Sequence, residues 1–344
     1  MAAIRRSDSN QCVESPSVKS IASNSILFLM TLLVMAGVFE ALCRTVIDSG
    51  MQYHIEMWKY AVQLKRVAGV EAIGHEHMPN TRAHLMGVDV VINNDGLRNA
   101  DTELNKAAGT KRILMLGDSI TFGWGVPSDQ TMSSVMEDMI EAVRGGPVDV
   151  INAGVGNYNT SMEVAYFLHK GRLYEPDVVV LNYFINDAEP TPVYGNTSWI
   201  ARHSYAYAVV GGAWDGLRRQ LLGDADWREY YSGLYAPDAT GWRATKTSIA
   251  ALADYCRQHD IKLIVANIPE LRELVDYPFA GITREVEKVV EDVGVEFVDL
   301  MPAVAGKPAR TLWVTEPDPH PNSSAHNLMG TYLSDYVLSS GYLN

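Results

Sequence analysis

"RILMLGDSITFGWGV", residues 112–126, decides the fold. After Arg112 it runs apolar to Leu116, long enough for a strand and too short for a helix. It then stops at Gly117, where Asp118, Ser119 and Thr121 follow among glycines. A strand with no polar alternation is buried on both faces, as in a parallel sheet covered by helices. Similar runs recur as "VDVIN" (148–152), "DVVVLNY" (177–183), "KLIVANI" (262–268) and "FVDLM" (297–301). Amphipathic spacing predicts helices near 131–143, 160–173, 244–258, 282–292 and 323–340. Strands and helices alternating in this way imply an α/β/α sandwich with a parallel sheet.

In an open parallel sheet, sites gather at the carboxyl ends of the strands. The first strand ends in Gly117-Asp118-Ser119, the second in "NAGVGNYNT" (152–160) and the third in "FIND" (184–187), while "EPDPHPN" (316–322) precedes the last helix. Four loops remote in sequence would then converge on one rim. Ser119 is a weak nucleophile until a base takes its proton, and His320 is the candidate base, oriented through its other nitrogen by a carboxylate. Pro319 pushes Asp318 toward extended backbone, where residues two apart point the same way, so Asp318 is the expected partner. Glu316 and a backbone carbonyl are the alternatives. Charge developing on a carbonyl oxygen needs preplaced donors, which the Ser119 amide, a loop amide at Gly156 or Asn157, and the Asn186 side chain can supply. Each feature alone is ordinary: serines sit in turns, Asn-Asp pairs cap helices and histidines occupy loops. Their conjunction points to a serine hydrolase.

"GDSITFGWG", the Asn-Ala-Gly loop, "FIND" and "DPHPN", in this order, resemble the SGNH, or GDSL-like, hydrolase superfamily, and the layout with its N-terminal apolar segment resembles a bacterial membrane-anchored branch of it. The match covers roughly 111–340. The resemblance implies a flavodoxin-like fold with neither metal nor cofactor. Ser119 then falls at the nucleophile, His320 at the base and Asn186 at the oxyanion asparagine, although Phe184 replaces the usual glycine of that block. Aligned from Asn152, the family's oxyanion glycine falls at Asn157, one residue after Gly156. The family's acid lies three residues before the histidine, a place held here by Pro317.

Upstream, "SILFLMTLLVMAGVFEALC" (25–43) carries Glu40 as its only charge. At about 1.5 Å per residue it reaches roughly 28 Å, close to a bilayer core. The long leader and the absence of an A-x-A-like site argue against a cleaved signal peptide, and Leu42 before Cys43 is too large for a lipoprotein box. Arg5, Arg6 and Lys19 before the span, against Arg44 just after it, leave a cytoplasmic tail (1–24) and an extracytoplasmic body. Residues 44–110 are expected as a juxtamembrane helix, from 47 to about 70, and an extended lead-in to a catalytic domain over 111–344. His75, His77 and His84 in the lead-in lack a nearby cysteine or carboxylate to complete a metal set. Cys12, Cys43 and Cys256 are too scattered for a disulfide framework. Within the domain, 188–243 is an insertion with ten aromatic residues in 56, which either form a small core of their own or a platform for a sugar or acyl group.

At 344 residues, 47% of them hydrophobic, the chain fills one main domain. A formal charge of -13 with no Lys/Arg-rich block excludes a nucleic-acid partner, whose phosphates demand a basic face. The expected activity is a membrane-anchored esterase acting on a small acyl ester or acylated glycan. An O-acyltransferase or O-acetyltransferase acting on an envelope or exported polysaccharide would use the same residues. A tethered binding protein that has lost activity is the reading from another class.

Overall fold

A computed structural model describes residues 18–192, 197–222, 226–316 and 318–343. Most of the expected cytoplasmic tail, with Cys12, and Pro317 lie outside the described residues. Five parallel strands form the central sheet: β1 (Lys111–Gly117), β2 (Val148–Gly154), β3 (Val178–Tyr183), β4 (Lys262–Asn267) and β5 (Glu296–Asp299). Their order is β2-β1-β3-β4-β5. The chain steps from β1 outward to β2 and then crosses to the other side of β1 for β3. That reversal opens a crevice at the carboxyl ends of β1 and β3, the place where such sheets bind ligands.

The longer helices are α1 (Val18–Leu42), α2 (Tyr53–Leu64), α3 (Met132–Arg144), α4 (Thr160–His169), α5 (Tyr205–Leu222), α6 (Trp227–Leu234), α7 (Thr240–Gln258), α8 (Ala280–Asp292) and α9 (Ser323–Ser340). Alternate residues of each strand serve opposite layers. Ile113, Met115 and Val180 meet Met132 and Met136 of α3 and Met329 and Leu333 of α9. Leu114, Leu116 and Val179 meet Phe167 of α4, Ile249 of α7 and Val286 of α8. Each such fully buried side chain contributes roughly 1.5–3 kcal/mol. This is the α/β/α sandwich expected from the uninterrupted apolar strands.

Outside the sheet the structure is finer-grained than the sequence suggested. The expected helix over 47–70 is shorter: α2 starts at a Gln52 side-chain cap and gives way to strand at Lys65, because Lys65–Val67 pairs with His75–His77 in a hairpin. A second hairpin joins Arg82–Leu85 to Val88–Val91. The insertion's aromatic rings divide between two fates. Tyr235 and Trp242 are buried in the main core, whereas Trp199 and Trp214 are 73% and 63% exposed.

The helical stretch Ala22–Ile47, whose most apolar 18 residues have a mean hydropathy of 2.4, is long and apolar enough to cross a membrane. Glu40 within it caps the start of α5, accepting from Ser204 Oγ (2.8 Å), Tyr205 N (3.0 Å) and Ala206 N (2.9 Å), and it pairs with Arg44 at 2.7 Å. A carboxylate in an apolar helix is costly unless partnered. A helix N-terminus with its free N–H groups is a suitable partner.

Candidate active site

β1 delivers the chain to a one-turn helix, Ser119–Phe122, which Asp118 caps through Oδ1 and the Ile120 amide (2.8 Å). The turn lies so close to the end of β2 that a Cβ on Gly154 would fall 2.3 Å from Phe122 N, so only glycine fits there. This close approach orients Ser119 at the crevice. Its Oγ lies 2.9 Å from His320 Nε2.

His320 belongs to a short strand, Asp318–Pro321, paired antiparallel with Trp313–Thr315. Extended backbone puts Asp318 and His320 on one side, and Asp318 Oδ1 is 2.5 Å from His320 Nδ1 while also accepting the His320 amide at 3.1 Å. Trp124 Nε1 donates to the other oxygen, Oδ2, at 2.9 Å. Asp318 is buried, which opposes ionisation, yet its hydrogen bonds from His320 and Trp124 prevail and hold the carboxyl below its ordinary range. Glu316 is exposed and pairs with Arg310. Trp124 lies inside the opening motif, but nothing in the pattern marks it as the partner of an acid 194 residues away.

The loop after β2 carries Asn157 at φ 68°, a left-handed conformation that asparagine tolerates. The two positions expected as donors differ here. The Gly156 amide is committed to the Tyr60 hydroxyl at 2.9 Å, so it is not available to a ligand, whereas no described group accepts the amides of Asn157 or Ser119. The Gly156 carbonyl, the other end of the Asn157 peptide unit, accepts from Lys65 Nζ (2.6 Å) and His75 Nε2 (2.9 Å). Lys65 also holds the Asn157 side chain, Nζ to Oδ1 2.9 Å, and lies over the Tyr60 ring. Burial pushes the Lys65 amine well below its ordinary range. The Tyr60 hydroxyl donates to His77 Nε2 at 2.6 Å, the ring's Nδ1–H turning to Gly96 O. These tautomers are assigned from the bonding pattern. The lead-in segment therefore braces this loop from behind.

Asn186 stands at the end of β3 with Nδ2 3.3 Å from Asp118 Oδ2. That carboxylate fixes the amide's orientation, since the flipped form would set two oxygens together. Burial raises the Asp118 carboxyl against the bonds from Ile120 and Asn186. Ser119, Asn157, Asn186, Asp318 and His320 all line one cavity of about 440 Å³. Its wall also includes Tyr53, His54 and Met57 of α2, Tyr231 of α6 and Arg272, which is held by Glu270. Among the described residues no cluster of three His, Cys, Asp or Glu suits a metal ion; His75 and His77 serve the loop just described, and His84 pairs with Asp89.

A parallel sheet with a serine, a histidine and loop amides gathered at its switch point defines a hydrolase-type site. The sequence matches the model of the GDSL-like lipase/acylhydrolase family over residues 115–328, and the chain belongs to that family of ester-hydrolysing enzymes. Comparison with curated sequences gave no match. Solved structures that it is similar to include a putative lipolytic protein of the G-D-S-L family from Desulfitobacterium hafniense (14% identity, 65% of this chain and 98% of that one, TM-score 0.41). The psychrotrophic esterase EstA from Pseudoalteromonas is another (16% identity, 67% and 98%, TM-score 0.40). A third is a two-domain esterase active on acetylated mannans (14% identity, 68% and 50%, TM-score 0.44).

Proposed function

We propose that this chain is a serine esterase that works through an acyl-enzyme. The observation that carries the reading is the unbroken hydrogen-bonded series from Asp318 through His320 to Ser119. His320 Nε2 takes the Ser119 proton as Oγ attacks the ester carbonyl, and the negative oxygen is met by the amides of Ser119 and Asn157 and by Asn186 Nδ2. The C–O bond to the alcohol then breaks, with His320 returning the proton to the leaving oxygen. Water, deprotonated by His320, releases the acid and restores the serine. Asp318 keeps His320 in the tautomer with Nδ1 protonated throughout. The substrate is an acyl or acetyl ester, with a small alcohol or a glycan as the leaving part. The domain acts outside the cytoplasm, held by α1 with the N-terminal tail inside.

Reaction with a serine-directed phosphonate tests the reading, with the adduct mapped to Ser119 by mass spectrometry. A screen of short acyl esters follows, with and without polysaccharide. Free acid is the expected product. Mass gain on the polysaccharide would make the protein a transferase, and no adduct at Ser119 would remove the enzymatic reading altogether.

A further inference from the structure

The exposed residues of α5 raise a separate question. Tyr207, Val210, Trp214 and Leu217 are all exposed and recur at intervals of three and four, so they form one apolar stripe along the helix. Trp199 and Ile200, on the short helix just before, are exposed as well. A soluble surface rarely leaves so many large apolar side chains contiguous. The opposite face is used internally: a Cβ on Gly212 would fall 2.4 Å from the His54 ring, so α5 lies directly on α2.

The start of α5 is fastened to the end of α1. Glu40 receives three donors from residues 204–206, Arg44 donates to the His203 carbonyl at 2.6 Å and lies over the Tyr205 ring, and Trp58 donates to the Ala201 carbonyl at 2.6 Å. The exposed apolar side chains at the end of α1 and just past it, Phe39, Leu42 and Val46, are thus tied to the start of the helix that bears the stripe. Tryptophan and tyrosine on such a stripe suit the headgroup boundary of a bilayer, where an apolar ring meets water at its edge.

We propose that α5 and the helix before it lie in the membrane surface, with the stripe set in the headgroup and acyl boundary of the leaflet where α1 emerges. This rests on the anchored reading of α1. The occupant of the stripe is lipid, in the manner of an interfacial amphipathic helix. Because His54 and Tyr53 of α2 line the catalytic cavity, one helix thickness, about 10 Å, separates that cavity from lipid. The site is thereby held at the height of the headgroups, and esters displayed at the membrane surface are its natural substrates.

The test uses the full chain in phosphatidylcholine–phosphatidylglycerol vesicles, with Cys12, Cys43 and Cys256 replaced by alanine. Single bimane labels are placed at Val34→Cys in α1, Val210→Cys and Trp214→Cys in α5, and Val91→Cys in the outer hairpin. Quenching by lipids brominated near the headgroup end of the acyl chain is compared with quenching by aqueous iodide. Labels at 210 and 214 are expected to respond to the brominated lipid, and to iodide several-fold less than the label at 91. Turnover of a soluble short-chain ester should stay within about twofold, since neither residue lines the cavity. If 34 answers to lipid but 210 and 214 to iodide as strongly as 91, the anchor stands and the interfacial helix falls. Iodide quenching at 34 overturns the anchor and with it the shared surface. Shielding of 210 and 214 from both quenchers overturns the lipid assignment in favour of a protein partner or a second copy.

Discussion

The two sides of the catalytic rim are built in opposite ways. On the His320 side, one extended strand carries both the proposed base and the carboxylate bonded to it, two residues apart, so the geometry is local and follows from backbone alternation. On the Asn157 side the proposed donor is a backbone amide, and the loop that carries it is held by Tyr60, Lys65 and His75, which reach it across 96, 91 and 81 residues of chain. A side chain that performs chemistry must be of a particular type and so marks the sequence. A backbone amide leaves no such mark, and the residues that aim it can be of many kinds. The segment between α1 and the sheet is therefore bonded into a cavity loop rather than serving as a spacer.

Replacing Ser119 with alanine removes the group both sides serve, and ester turnover should fall by more than about a hundredfold with an unchanged circular dichroism spectrum. Next, Asp318→Asn is expected to cost about a hundredfold to ten-thousandfold in kcat, because the ring is left in the wrong tautomer. Glu316→Gln should cost less than about tenfold; the reverse ranking would falsify the local construction of this side.

The other side is probed by Lys65→Met. Lys65 and His75 withdraw charge from the Gly156 carbonyl, which makes the Asn157 N–H of the same peptide unit a stronger donor and keeps it aimed. Loss of one such donor should lower kcat by roughly tenfold to a hundredfold and leave KM nearly unchanged, less than the direct loss of an oxyanion donor. An equal rise in KM with constant kcat would mean that Lys65 shapes the cavity instead.

The smallest effect separates stability from catalysis. His326, six residues after the base, is buried with Nδ1 accepting the Met132 amide at 3.0 Å, and burial first, then the charge of Arg98, pushes it down to about 3. As pH falls, the unfolded chain protonates this histidine near its ordinary value of about 6.5 while the folded chain resists until about 3. Its neutral form thus contributes stability that is complete above the unfolded value and is lost on acidification, at about 1.4 kcal/mol per pH unit. Urea midpoints at pH 7.0 and 5.5 should fall more for the wild-type chain than for His326→Gln.

How much of this was legible follows from the same contrast. The sheet could be read because its strands are apolar on both faces, and Asp318 could be placed beside His320 because Pro319 enforces extension. The shortened α2 could not be read, since Lys65 leaves the helix for a hairpin and a loop that only the folded chain brings near. Trp124 stands within residues 112–126, yet nothing in the local sequence ties its indole to a carboxylate 194 residues away. Glu40 was visible as the one charge in an apolar run, but its partner, the start of α5, lay 164–166 residues away.

The distance along the chain between Ser119 and His320, 201 residues, also has a meaning in time. A ribosome adds roughly 5–20 residues per second, so Ser119 precedes His320 by about 10–40 s. Lys65 and His75 are made before Ser119, and Asp318 and His320 follow the last strand of the sheet, with α9, which closes one layer, after them. Until His320 has been made, the Ser119 hydroxyl has no imidazole beside it, and under the proposed mechanism ester cleavage begins only once the whole domain has folded.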